Sequence, residues 1–296
     1  MRSYTLNIAG YKLRFQSSGD GPELIPSIRF LRSIIHDSEA DLQINIHSGK
    51  YDLPENAERV FHAPYVEEVN GTLIKKQENF WSVWKHHSNL FIKTILPLAS
   101  PGKNATLKFS LSSVEWDLWF DSNEKEVDPS EYPLDGLILY YLTVVNRDIM
   151  IHASGVNYKG HGFLFSGISG RGKSTIAMLW ENAGAKVLHD DRLIVRNSAG
   201  TFTMFNTPVY NDDIPCRSSL EKIFIIEHGT ENKLVEVKGA EAVSLVMANC
   251  IQHNWNPEII EALLTTVSIM CSKIPTVRLS FKPDKTVIDK IVEYEL

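Results

Sequence analysis

The sequence predicts a two-domain α/β (α+β) protein, with a β-rich half over residues 1–130 followed by a half over 131–296 built on a mixed sheet. Three observations carry this expectation. The 296 residues exceed the roughly 100–200 of a single domain. Period-2 apolar alternation dominates the first 120 residues, and beyond an acidic, proline-bearing stretch the pattern turns to strands and helices around a glycine-rich loop. With 43% hydrophobic and 22% charged residues the composition is that of a globular chain rather than a disordered or disulfide-built one.

In chain order, Tyr4 to Ile8 and Lys12 to Gln16 read as strands joined by a turn at Ala9-Gly10. Ile28 to Ile35, with Ser27 as N-cap, is the one short helix expected in this half. Asp41 to Ile46, Thr106 to Leu111 and Val114 to Phe120 alternate again. Trp81, Trp84, Trp116 and Trp119 lie in this half, where aromatic side chains on alternating strands fill a core rather than grip a ligand. Residues 121–133, DSNEKEVDPSEYP, read as a surface linker and place the domain boundary. Leu134 to Val145 is apolar and long enough for a buried helix. Ile149 to Tyr158 and Phe163 to Phe165 are extended runs joined by Lys159-Gly160-His161-Gly162, and Glu221 to Glu227 is a further strand. Helices are expected over Ala240 to Gln252, Pro257 to Ser272 and Lys285 to Tyr294.

A net charge of −6 argues against nucleic acid or an anionic membrane as partner, since the field of the whole molecule repels both. The N-terminus alternates without the apolar core of a signal peptide and no 18-residue apolar run follows, so a cytoplasmic protein is expected. Cys216, Cys250 and Cys271 are odd in number and lack ligand spacing, which indicates neither zinc nor disulfides. Sequons at Asn70 and Asn104 have meaning only in a secreted protein.

The informative segment is residues 160–191, GHGFLFSGISGRGKSTIAMLWENAGAKVLHDD. Gly167, four residues, then Gly172-Lys173-Ser174 completes G-x-x-x-x-G-K-[ST], the P-loop pattern; by composition alone such a match arises with a probability on the order of 1%. A short apolar strand enters the loop, and Thr175 to Trp180 leaves it as a helix stopped at Ala183-Gly184. Glycines let successive N–H groups converge on phosphate oxygens at a helix N-terminus, where the dipole favours negative charge. The expected ATP-binding set is therefore Gly167, Ser169, Gly170, Arg171, Gly172, Lys173, Ser174 and Thr175, with Lys173 on the β/γ-phosphates and Ser174 on Mg²⁺.

After this helix a right-handed crossover brings Lys186 to His189 back parallel to the loop strand and ends it beside the loop, at Asp190-Asp191. Adjacent carboxylates on an extended backbone point apart, so one is expected to face the metal and the other the incoming hydroxyl. If the runs 149–158 and 161–166 pair antiparallel, partner numbers sum to about 320 and His152 comes opposite the start of the loop, within reach of Asp190 or a phosphate oxygen.

Together Ile151-His152-Ala153-Ser154-Gly155, SGISGRGKST and Val187-Leu188-His189-Asp190-Asp191 resemble the catalytic domain of HPr kinase/phosphorylase and its looser relatives, a fold related to the nucleotide site of phosphoenolpyruvate carboxykinase. The resemblance implies ATP- and Mg²⁺-dependent phosphoryl transfer to the hydroxyl of a protein, peptide or small molecule. It implies Asp190 as base, His152 as its support, Lys173 on phosphate, and Ser174 and Asp191 on the metal side. Relatives of this fold commonly assemble into rings, which implies a homo-oligomer. The Glu-Ile-Arg-Gly-Leu-Gly signature of HPr kinases is missing, its place taken by residues 205–213, FNTPVYNDD, so neither HPr as substrate nor reverse phosphorolysis is implied. The alternatives are a non-catalytic ATP-binding sensor or interaction module, and a plain NTPase, for which no Gln or Arg is assigned to position water, Arg171, Arg192, Arg217 and Arg278 being candidates only for stabilising transition-state charge.

Overall fold

The computed structural model describes residues 1–36, 39–69, 72–97 and 103–295. Asn70 lies outside them. Strands and helices produce a strand-rich, mixed α/β architecture that divides into two compact units. One comprises Met1–Leu142, Val209–Asp213 and His253–Trp255; the other comprises Thr143–Pro208, Ile214–Gln252 and Asn256–Leu296. The division falls at Leu142 rather than in the acidic stretch 121–133. Side-chain packing sets it: Tyr141 meets Phe109 at 4.6 Å and Asp135 takes Arg29 at 3.0 Å, which ties the start of helix α1 (Leu134–Asn146) to the first unit.

Among the described residues the first unit has eleven strands: β1 (Ser3–Ile8), β2 (Tyr11–Ser17), β3 (Glu23–Leu24), β4 (Ile34–Ile35), β5 (Leu42–Ser48), β6 (Glu58–Val69), β7 (Thr72–His86), β8 (Asn89–Ile95), β9 (Asn104–Phe109), β10 (Glu115–Phe120) and β11 (Glu126–Val127). Nine of these form one sheet in the order β4-β1-β2-β5-β10-β9-β8-β7-β6, parallel only at β2–β5 and β5–β10. The stretch expected as a short helix is a 3₁₀ turn, Ile28–Ser33, running into β4, and Ser27 makes no side-chain cap. Ile28 and Leu31 are exposed, so no apolar stripe exists to hold an α-helix against the sheet. Of the four tryptophans, Trp116 is 1% exposed, whereas Trp81, Trp84 and Trp119 are half-buried. Period two explains the split on β10: Trp116, Leu118 and Phe120 face inward, so Trp119 faces out, stacked on His47 at 4.6 Å.

Among the described residues the second unit has nine strands: β12 (Ile149–Tyr158), β13 (His161–Ser166), β14 (Lys186–His189), β15 (Arg192–Ser198), β16 (Thr201–Asn206), β17 (Arg217–Ser219), β18 (Lys222–His228), β19 (Lys233–Val237) and β20 (Thr276–Phe281). Its helices are α2 (Lys173–Asn182), α3 (Gly239–Met247), α4 (Pro257–Lys273) and α5 (Thr286–Glu295). The sheet order is β17-β16-β15-β12-β13-β18-β20-β19, with β14 also on β12; β13, β18 and β20 are parallel and the other pairings antiparallel. Strands buried on both faces read as unbroken apolar runs. Leu164, Ile223 and Ile225 pack on one face with Val246, Val267 and Met270 of α3 and α4. Phe163, Phe165, Phe224 and Ile226 pack on the other with Ile176 and Trp180 of α2 and Val287 and Ile291 of α5. Each such side chain contributes about 1.5–3 kcal/mol on burial, which fixes α2 against the strand that feeds it.

Two expectations change here. The helix expected to reach Gln252 ends at Met247, because the chain leaves it to bond β12: His152 N–H donates to the Asn249 carbonyl (3.0 Å) and Ile251 N–H to that of Met150 (2.8 Å). The strand β14 does not neighbour β13. It runs in the same direction but lies on the far edge of β12, and β18 takes the place beside β13. Among the described residues no helix is long and apolar enough to cross a membrane.

Candidate functional site

The loop Gly167–Gly172 turns the chain from β13 into α2, and close packing dictates the glycines at its two ends. A Cβ on Gly167 would stand 2.8 Å from the Ile226 carbonyl oxygen. Gly172, the N-cap of α2, has φ +92°, and a Cβ there would meet Phe281 at 2.9 Å. The first N–H groups of α2 have no partner within the helix, which makes this terminus suited to an anion. Lys173 Nζ donates back to the Gly167 carbonyl (2.7 Å), and Ser154 Oγ donates to the Lys173 carbonyl (2.9 Å), so strand β12 props the loop from behind. Burial holds the Lys173 ammonium below the ordinary lysine range, while the nearby Asp191 carboxylate acts in the opposite sense.

Strands β12 and β13 form the expected hairpin, with Ala153 opposite Ser166, which leaves His152 one step beyond the ladder, level with Gly167. Alternation aims it: Ile151 and Ala153 belong to the α3/α4 face, so His152 and Ser154 point to the α2 side. Ser166 Oγ donates to the His152 carbonyl (2.7 Å) and fixes that backbone.

Asp190 and Asp191 lie between β14 and β15, which follow the same edge of β12 with Gly155 opposite His189 and His152 opposite Arg192. With β12 intervening, two strand spacings, about 10 Å, separate their backbone from the end of β13. The acids are not extended, as had been expected; they form a bend, and both residues line the same cavity.

That cavity, ≈ 770 Å³, is lined by His152, Gly167, Ile168, Ser169, Gly170, Gly172, Lys173, Ser174, Thr175, Asp190 and Asp191, together with Ala248, Asn249 and Cys250. Every expected site residue except Arg171 borders it, and none of Arg192, Arg217 or Arg278 does; Arg278 pairs with Glu241 at 2.8 Å. The side chains of His152, Ser174, Asp190 and Asp191 make no hydrogen bond among the described residues, so the His152–Asp190 bond foreseen from the register is not formed. Ser174 and Asp191 offer hard oxygen donors, the kind a small divalent cation takes, but among the described residues no group of three or more His, Cys, Asp or Glu is placed to hold a metal ion. Ala248 to Cys250 were missed because they lie some sixty residues further along the chain than Asp190, with no motif of their own. His189 was missed as well: it looked like a strand end, yet its ring accepts the Asp191 N–H at 3.1 Å.

No family model matches the chain, and no curated protein matches it. Among solved structures it is similar to the Hpr(Ser) kinase/phosphatase from Coxiella burnetii, at 14% identity and a TM-score of 0.30, over 49% of this chain and 94% of that one. That level of likeness leaves the chemistry to be judged from the chain's own residues.

Proposed function

We propose that the second unit is an HPr-kinase-like phosphotransferase that moves the γ-phosphoryl group of ATP, with Mg²⁺, to a serine-like hydroxyl of a protein, peptide or small molecule. The observation that supports it is the single cavity lined by a glycine loop, Lys173, His152 and two acids, in which the side chains of His152, Ser174, Asp190 and Asp191 make no hydrogen bond among the described residues. The loop N–H groups and Lys173 hold the phosphate chain, with Lys173 leaving the Gly167 carbonyl to do so. Ser174 and Asp191 would hold the cation, which when bound neutralises charge on the phosphates. Asp190 takes the proton of the acceptor hydroxyl as its oxygen bonds to the γ-phosphorus and the bond to the bridging oxygen breaks, releasing ADP. His152, not bonded to Asp190, borders the same cavity and would meet the phosphate oxygens instead.

Transfer from γ-labelled ATP to candidate hydroxyl acceptors tests this directly. Asp190→Asn is expected to lower turnover by about 10²–10⁴ while leaving nucleotide affinity within about twofold. A variant with full turnover removes Asp190 as the base. Tight nucleotide binding by the wild type with no transfer to any acceptor replaces the kinase by a sensor.

A further inference from the structure

His189 ends β14 at 4% exposure, and its Nδ1 accepts the backbone N–H of Asp191 at 3.1 Å, with the N–H of Arg192 approaching at 3.5 Å. The geometry points to His189 as a positioning residue: its neutral ring, protonated on Nε2, caps the bend that turns both acids into one cavity. This rests on reading that cavity as the phosphoryl-transfer site.

The bend requires a cause. Since β14 and β15 continue along one edge of β12, a regular ladder through residues 190 and 191 would send the two carboxylates to opposite faces of the sheet. Only the Asp191 carbonyl keeps a ladder-like bond, from Ala153 N–H at 3.2 Å. The N–H of Asp191 points away from the ladder and needs another acceptor. His189 supplies it from two residues upstream, the geometry in which an Asn or Asp side chain closes a turn on its own backbone. An Nδ1 that accepts places the ring proton on Nε2. Downstream, Thr207 Oγ1 donates to the Arg192 carbonyl (3.1 Å) and accepts from Arg192 Nε (3.4 Å), so the bend is clamped on both sides.

The test compares His189→Asn, whose Oδ1 can take the place of Nδ1, with His189→Leu, which has no acceptor. The probes are a non-hydrolysable ATP analogue with and without Mg²⁺, turnover, and ¹⁵N chemical shifts of the wild-type ring. His189→Leu is expected to lose about 10–100-fold of the Mg²⁺-dependent gain in affinity and of turnover, the usual cost of losing a group that orients a ligand, with Mg²⁺-free binding unchanged. His189→Asn is expected to recover both to within about threefold. The proposal is overturned if His189→Leu equals the wild type, if His189→Asn is as impaired as His189→Leu, or if the wild-type ring carries its proton on Nδ1. The ring tautomer decides the matter even where a variant does not fold, and it is read whether or not the wild type transfers phosphate, so a failed kinase assignment and a failed role for His189 give different results.

Discussion

Each unit sets an imidazole among a hydroxyl and a carboxylate, and the two groupings differ in what is already bonded. In the first unit His47 Nε2 lies 2.9 Å from Asp117, and Ser18 Oγ lies 2.8 Å from His47 Nδ1 and 2.9 Å from the Ile46 carbonyl. Lys108 approaches the other oxygen of Asp117 at 4.0 Å, and Trp119 stacks on the ring. On paper this is the chain of a hydrolytic triad. Yet the serine proton has two acceptors within reach, and both nitrogens of the ring are engaged. In the second unit the side chains of His152, Ser174, Asp190 and Asp191 make no hydrogen bond among the described residues and border open volume. Mutual satisfaction marks a structural network; polar capacity held unused around a cavity marks a place for a ligand.

The largest effects are expected where that capacity is removed. Lys173→Gln should weaken ATP-analogue binding by roughly 10–100-fold in calorimetry, the worth of a charge-assisted hydrogen bond of about 1.5–3 kcal/mol. Gly172→Ala should do at least as much through its left-handed backbone and the Phe281 contact. Unchanged affinity in both would dissolve the contrast between the units.

A smaller effect sharpens it through a third imidazole. His253, packed within the first unit against Tyr140 (3.8 Å), Trp81 (4.5 Å) and Tyr141, has its pKa pushed by burial from 6.5 down to about 3. Between those values the unfolded chain binds a proton that the folded unit refuses. The stability present above pH 6.5 is therefore lost as pH falls through that window, at a limiting slope of about 1.4 kcal/mol per pH unit. Replacing His253 with Phe should flatten the acid side of a plot of Tm against pH, and an unaltered slope would assign it to other groups.

The smallest effect concerns the satisfied network itself. Ser18→Ala should cost about 0.5–1.5 kcal/mol of stability by denaturant titration and leave nucleotide binding untouched. A fluorophosphonate probe should fail to label Ser18; labelling there would show that the first unit holds an activated nucleophile after all.

What the sequence made legible was local. The hairpin of β12 and β13 pairs within one residue of the expected register, because a tight turn leaves little choice of partner. The loop and its helix were likewise readable, since glycine spacing, the lysine and the apolar flanks lie within some twenty residues. Which edge of β12 would receive β14 was not readable, because apolar alternation specifies faces and not edges. The bend at Asp190 depends on a single ring nitrogen, and the third wall of the cavity comes from the segment just after α3, a helix that hydrophobic periodicity carried too far. Half-buried Trp119 shows the same limit: an aromatic on an alternating strand has a definite parity, and only packing reveals which parity is inside.

The central place of β12 also bears on how the molecule assembles. It is flanked by β13 on one edge and by β14 and β15 on the other, so all three partners lie within fifty residues of its start, whereas the sheet of the first unit joins Gln43 to Glu115. Short loops cost less entropy to close than long ones. The ladders that hold the cradle, the imidazole and the acids thus close over shorter stretches of chain than the pairing of Gln43 with Glu115.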